Sequence, residues 1–530
     1  MICVVFRCKV MFVRLMKGRN KQYVVIVRSY RDEQGRPRQK AVYNFGAVTD
    51  ENKEQMLNLA KRCLTSLEGG QFIIKDESVI QEESRHNWGA PAIMENLWGR
   101  FDLSKAIKSE QCESALKLMM MDRLCSPASK LGTYNKRGRY QGFEKVELHH
   151  MYRALDSLSE KCEELKAHVY QKQRLRGVAD IAFFDVTTLY FESQKADLFR
   201  EFGYSKDCKF NEVQVVLCLI IDAKGKPLTY EIFAGNTSEG KTLLPVLERL
   251  KRQFAINNLV IVADRGIGSE ENLQCIKDAG YDYIIGAKLR ASSKAVKDEA
   301  LAEDGFYTLN CSAADTRRYK FIKNKKQNWV VIHSSKRAEK DMRDRTRLIV
   351  KAEEMLQNKA MLSNKRGAKK FIKTPKGAEK EAILDVQKIQ EDAKFDGYYA
   401  ISFSQENASA FDIASAYQGL WQIEESFRTL KSFFEVRPMF HWTKKRIEGH
   451  IMLNFLLLVM EQFLLSHIKT DCSEEDEVIS HNLLRNAIDD LDCSILQINE
   501  SKFVSYSKIS DYQRTILQGL NIPVPKNHIL

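Results

Sequence analysis

The chain is 530 residues long, 44% hydrophobic and holds only 9 prolines, so it buries large cores, divides into several domains, and is neither a disordered tail nor a small disulfide-stapled fold. Lysine and arginine total 83 against 70 acids, a formal charge of +13 that favours a polyanionic partner, nucleic acid first. The 12 cysteines form no CxxC pair and no Cys/His set at zinc spacing, which points to reduced thiols in a cytoplasmic protein.

The opening MICVVFRCKVMFVRL alternates with charges and lacks the continuous apolar stretch of a signal peptide. Residues 11–48 alternate apolar and polar around the turn DEQGRPR, predicting a small basic β-hairpin module within 1–70. Its arginines either touch DNA or form a charged surface. A helical domain follows over 71–175, with 115–124 and 148–158 as amphipathic pieces. Strands at 181–186, 214–221 and 228–233, a helix at 242–254 and a strand at 259–263 make 176–290 the first part of an α/β sheet.

Between 291 and 395 the chain turns basic, with short β-like runs such as NWVVIH, and reads as an insertion. Two clusters stand out: Arg317, Arg318, Lys320, Lys323, Lys325 and Lys326, then Lys365, Arg366, Lys369, Lys370, Lys373 and Lys376. A solvated loop explains any one of these side chains, whereas two clusters in one insertion favour a DNA track. The strand GYYAISF restores the α/β sheet over 396–470, and 471–530 reads as a helical tail. The longest apolar run, 451–465, is broken by Asn454 and Glu461 and is shorter than a bilayer span, so it predicts a buried helix and no membrane partner.

The segment YQGLWQIEESFRTLK is the most informative. On one continuous helix Tyr417, Trp421, Glu424, Arg428 and Lys431 form a polar stripe beside the apolar Leu420, Ile423, Phe427, Leu430 and Phe434. Glu424 lies on the border of the two stripes, whereas Glu425 points about 100° further from the apolar side. A surface helix with an i, i+4 Glu424–Arg428 pair is the plain alternative. Asp185 ends the strand IAFFD and Asp264 ends LVIVAD, so three acids stand at element ends. Carboxylates that converge can hold two divalent ions about 3.5–4 Å apart, which activate an attacking oxygen and stabilise the leaving oxygen of a phosphodiester. Taken singly, Asp185 reads equally as a cap before Thr187 and Thr188, and Asp264 as a loop cap or ion-pair partner.

These residues resemble the DDE transposases of bacterial insertion sequences, in the group with the signature Y-x2-R-x3-E-x6-K. Tyr417, Glu424 and Lys431 match the signature, while Leu420 stands at its arginine position and Arg428 is the candidate replacement. DVTTLYFES from Asp185, GYSKD from Gly203, GNTSEGKT from Gly235, VADRG from Val262, WQIEESFRTLKS from Trp421 and SPASKL from Ser126 are similar too. The resemblance implies a ribonuclease-H-like catalytic core split by the basic β-rich insertion. It makes Asp185, Asp264 and Glu424 the metal-binding triad, with Mg²⁺ or Mn²⁺, and sets Tyr417 and Lys431 on DNA phosphates. The implied reaction is hydrolysis that frees a 3′-hydroxyl at the element's terminal inverted repeats, then attack of that hydroxyl on target DNA, by a homodimer pairing two ends. A nucleoid-associated location follows. Trp329 is the aromatic candidate for holding a flipped base, against the ordinary alternative of a core tryptophan.

Two rivals remain at this stage. Gly235 to Thr242 satisfies the P-loop pattern G-x4-G-K-[ST], between a predicted strand and helix, although Glu239 places an anion where phosphate would bind. An inactive, transposase-derived DNA-binding protein is the other.

Overall fold

Apolar strands buried on both faces dictate the centre of the molecule. In the computed structural model β1 (Ile181–Tyr190), β2 (Gln214–Asp222) and β3 (Pro227–Ala234) form an antiparallel meander, and β2 is buried at eight consecutive positions. The chain then crosses by α1 (Glu239–Arg252) to β4 (Val260–Ala263) and by α2 (Glu270–Asp278) to β5 (Asp282–Ala287). Strand β4 is parallel to both β1 and β5, as helical crossovers require. The structure describes residues 11–18, 21–32, 34, 36–49, 52–67, 72–73, 79–174, 181–204, 209, 211–252, 254, 256, 259–311, 315–324, 327–357, 367–373, 382–468, 481–498 and 501–529.

The insertion does not stand apart from the sheet. Its strands β6 (Tyr307–Cys311), β7 (Thr316–Asn324) and β8 (Gln327–Ser334) form an antiparallel run, and β8 pairs with β9 (Tyr398–Phe403), itself antiparallel to β5. The result is one nine-stranded sheet ordered β6-β7-β8-β9-β5-β4-β1-β2-β3. Past β8, α3 (Ser335–Gln357) leads to a separate small core of Ala352, Met355, Ala368 and Phe371.

One continuous helix was expected over Tyr417–Lys431; three pieces are found. Helix α4 (Ala410–Gln418) ends at Gly419 and Leu420, α5 (Trp421–Arg428) resumes, and Thr429–Phe433 forms a π turn in which the Phe434 N–H donates to the Thr429 carbonyl at 2.9 Å. The break lies where the chain presses on β1: a Cβ on Gly419 would stand 2.3 Å from Phe183 Cζ. Helix α6 (Lys444–Ile468) is long and apolar enough to cross a membrane, but 83% of its apolar window is buried in the protein, as expected of a core helix.

The chain divides into two units, and the whole nine-stranded sheet lies in the larger, residues 101–116 and 149–466. The smaller comprises 1–100, 117–148 and 467–530. It contains the expected hairpin, Gln22–Arg31 with Pro37–Val48, to which Met11–Lys17 adds a third strand. The helical tail expected at 471–530 is corrected: Asp492–Ile498, Ser501–Tyr506 and His528–Ile529 are strands of a sheet whose next member is Val79–Asn87. That pairing joins segments some 400 positions apart, and local periodicity carries no trace of it.

Gly419→Ala is expected to destabilise the larger unit by about 1–3 kcal/mol, because the added methyl overlaps a buried ring. A lowered urea midpoint at unchanged m would show it.

Candidate active site

Strand alternation places the first two acids. Phe184 and Val186 of β1, and Ile261 and Ala263 of β4, belong to the core that α1 and α2 cover on one face of the sheet. Asp185 and Asp264 have the opposite parity and emerge on the other face, as does Phe183, which meets Gly419. Phe184 and Ala263 are partners in the parallel β1–β4 ladder, so Asp185 and Asp264 are the next residues on adjacent strands. Each carboxylate accepts the N–H of the residue after it, Val186 and Arg265 respectively, both at 2.7 Å. Asp185 is half-buried and Asp264 exposed.

Tyr417 reaches the same place from α4. Ile285 and Ala263 are partners across β5 and β4, which sets Gly286 beside Asp264, on the same face. A Cβ at Gly286 would lie 2.5 Å from the Tyr417 hydroxyl and 3.1 Å from the Arg265 nitrogen, so the missing side chain makes the space the phenol enters. Burial pushes the Tyr417 phenol up to about 12, with the Asp264 charge adding and Arg337 and Arg265 opposing. Tyr417 is therefore a neutral donor at any physiological pH.

Helix α5 packs on β1 and β2 through Ile423, Ser426 and Phe427. Gln422, on one flank, donates to the Ala223 carbonyl in the β2–β3 turn at 3.2 Å. Glu424 projects from the opposite flank, about 160° around the helix from Gln422 when measured across the exposed side. It is exposed, whereas Glu425 is half-buried and forms an ion pair with Arg428. Lys431 sits half-buried in the π turn. Two acids thus share a face and adjacent register, and the third stands on the flank of the covering helix. Among the described residues no three His, Cys, Asp or Glu side chains are gathered closely enough to hold a metal ion.

Residues 176–460, more than half the chain, match the transposase DDE domain family, and 13–69 match the N-terminal domain of IS1634 family transposases. The chain belongs to the DDE transposase family. The cryo-EM structure of a piggyBac transposase synaptic complex with hairpin DNA is matched at 7% identity and a TM-score of 0.35, over 72% of this chain and 70% of that one. No curated protein matches.

Other residues singled out in this transposase fall elsewhere. Trp329 is corrected: it is 4% exposed, packed with Leu289, Val296, Ile322, Val331 and Ala400, and its strand parity sets it on the face away from Asp185 and Asp264. No base can stack on it there. Arg317 and Arg318, adjacent on β7, point to opposite faces; Arg318 pairs with Glu303 at 2.8 Å over the Phe306 ring, and Arg317 pairs with Asp315 on the acid-bearing face. Lys370 pairs with Asp392, and Lys369 lies in the same short turn beside the small second core. Lys365 and Arg366 are outside the described residues.

The P-loop reading fails on geometry. Strand β3 is the antiparallel edge of the sheet, α1 begins at Glu239 and so winds the second glycine into the helix, and the Thr242 hydroxyl is buried and donates to the Glu239 carbonyl. Of Gly286, Arg265, Tyr399 and Arg337, which do surround the site, only Arg265 lies in a quoted motif, VADRG; among the other three, the glycine inside the strand DYIIGA is the one local signal.

Gly286→Ala is expected to displace Tyr417 and lower DNA-end cleavage by about tenfold or more, with little change in fold. Tyrosine absorbance titration offers a second check: the raised Tyr417 value means this phenol stays protonated through pH 10. The signal lost in Tyr417→Phe is then confined to the window rising toward about 12, and folding stability falls with pH across that window because the unfolded phenol ionises first.

Proposed function

We propose that Asp185, Asp264 and Glu424 are the catalytic carboxylates of a ribonuclease-H-like core that cuts the ends of a mobile element and joins them to target DNA. The observation that carries this is the adjacent register of Asp185 and Asp264 on the sheet face under the Tyr417–Lys431 segment. Support for the fold comes from the order β5-β4-β1-β2-β3, with β1 to β3 antiparallel and β4 and β5 parallel to β1. The insertion between β5 and β9 then splits that core and widens its sheet.

Members of this family use divalent metal ions. The oxygen-only donors Asp185, Asp264 and Glu424 fit such an ion, Mg²⁺ first and Mn²⁺ second, and would be the residues that hold it. When bound, the metal supplies Lewis-acid activation of the attacking oxygen and neutralises charge on the leaving oxygen. The residues of the chain orient the phosphodiester. Tyr417, held neutral, donates to a phosphate oxygen, and Lys431 adds a charge from the π turn. Arg428 lies toward the outer surface of α5 with Glu425. Water attacks phosphorus and the P–O3′ bond breaks, so the water-derived oxygen ends on the 5′-phosphate of one fragment and the other is left with the 3′-hydroxyl that attacks target DNA.

DNA is the partner of transposases. The terminal inverted repeats as the recognised sites, the pairing of two ends by a homodimer and a cytoplasmic, nucleoid-bound location belong to this proposal. The +13 charge is consistent with all three.

The test is cleavage and joining of labelled duplex carrying the element's terminal repeats, in Mg²⁺ without ATP. Asp185→Asn, Asp264→Asn and Glu424→Gln should each abolish cutting while retaining end binding, and Lys241→Ala should cut normally. Full cutting by any one of the three acid variants would remove that residue from the catalytic set.

A further inference from the structure

Position 420 is leucine where the family signature carries arginine, so the phosphate contact expected there must come from elsewhere or be absent. Two clefts reach residues next to the acid-bearing face, Arg265 beside Asp264 and Gln418 beside Tyr417. One, about 500 Å³, runs from Arg265, next to Asp264, past Lys288 and Arg290 to Arg337 and Tyr399. The other, about 480 Å³, runs from Gln418, next to Tyr417, to the same Arg337 and Tyr399. Arg337 therefore stands where the two meet.

Its setting fits an anion. The guanidinium carbon lies 4.8 Å from the centre of the Tyr399 ring, a face-on contact that orients the planar group without consuming its N–H donors. Its acidic neighbour is Asp341, one turn on, at a loose 3.8 Å; the same carboxylate accepts the Gly397 N–H at 3.0 Å. Half of the Arg337 side-chain surface remains exposed. The first cleft is lined by the cations Arg265, Lys288, Arg290 and Arg337 against the anion Asp341, with Arg290 itself paired to Asp392. Tyr399 neighbours the buried Ala400, which faces Trp329 on the far side, so Tyr399 takes the acid-bearing face of the sheet and Trp329 the other.

We propose that these joined clefts form a phosphodiester-binding subsite for the DNA strand leading into the acid pair, in which Arg337, carried by the insertion, supplies the phosphate contact that Leu420 does not. The inference rests on the catalytic reading above. An arginine suits the role because its fork can bind two phosphate oxygens together, and because it stays charged beside tyrosines. The insertion then contributes to the active site itself, by way of the first turn of α3.

The experiment has two readouts. Binding of terminal-repeat duplex to the full chain, without metal, is measured across about 50–200 mM salt, and cleavage is measured in Mg²⁺. Arg337→Gln should reduce the slope of log affinity against log salt by about 1 and cut cleavage by about tenfold or more. Arg337→Lys should keep the slope but not the full rate, having charge without the fork. Arg318→Gln, on the opposite face, should match wild type. Leu420→Arg placed in the Arg337→Gln background should restore cleavage to within about threefold of wild type. Wild-type slope and rate in Arg337→Gln, an equal loss in Arg318→Gln, or no recovery with Leu420→Arg would each overturn the subsite. If the wild-type chain binds the duplex but never cuts it, the catalytic reading fails instead, and the slope comparison still decides whether Arg337 meets phosphate.

Discussion

The register of one parallel strand pair governs the site. Strands β1 and β4 bury Phe184, Val186, Ile261 and Ala263 under α1 and α2, and because side chains alternate, the same register forces Asp185 and Asp264 out on the other face. Slipping either strand by one residue would drive a carboxylate into an apolar core and expose a large apolar side chain, both strongly unfavourable. The core thus specifies where the acids stand, although it touches neither. Asp264 stands just beyond the carboxyl end of β4, where open α/β sheets leave a crevice for ligands, and Asp185 lies beside it within β1, one residue past the last rung of the parallel ladder.

Two glycines let the covering helices come close enough for the acids to be shared. Gly419 lets the chain meet Phe183 at the break between α4 and α5, and Gly286 opens the slot for the Tyr417 hydroxyl. The break also explains why Tyr417 and Glu424 approach from different directions: with α4 over β4, β5 and β9 and α5 over β1 and β2, each helix faces a different part of the sheet. A single straight helix would have aligned both residues in one stripe and could not have placed the phenol beside Asp264. The π turn that follows widens the helical repeat around Lys431, a further local departure of the kind that gathers at functional sites.

The parts legible in the sequence were those written in short-range pattern. Strands β1, β2 and β4 and helix α1 read from their periodicity to within a few residues, and Asp264 stands just past β4 as LVIVAD suggests, whereas Asp185, expected at a strand end, lies inside β1, which runs on to Tyr190. What could not be read was pairing. That β8 joins β9, some 70 positions later, or that Asp492–Ile498 joins Val79–Asn87, depends on contacts that leave no local mark. The placing of Trp329 turned on the same gap: it sits in an apolar, alternating segment, and only the register across β8, β9 and β5 says which face its ring takes. GNTSEGKT shows the converse, a complete short motif whose chemistry is cancelled by its position on an edge strand and by the early start of α1.

Charge has to be arranged locally for such a site to work at all. Two carboxylates on adjacent strands repel a phosphodiester, and the overall +13 cannot offset that repulsion, since salt screens charges more than about 8–10 Å away. Cations must stand within that distance, and the polar stripe of α5 does not provide enough of them: Leu420 is neutral, and Arg428 faces outward with Glu425. The basic side chains of the clefts come from Arg265, directly after Asp264, from Lys288 and Arg290 just past β5, and from the start of α3. Because β7, β8 and β9 run through one continuous sheet, the insertion is held rigidly against β5, and its cations keep a fixed position beside the acids. A basic segment tethered by a flexible linker would add charge to the chain without holding it at the reacting phosphate, so it is the sheet pairing of the insertion, more than its composition, that makes it part of the site.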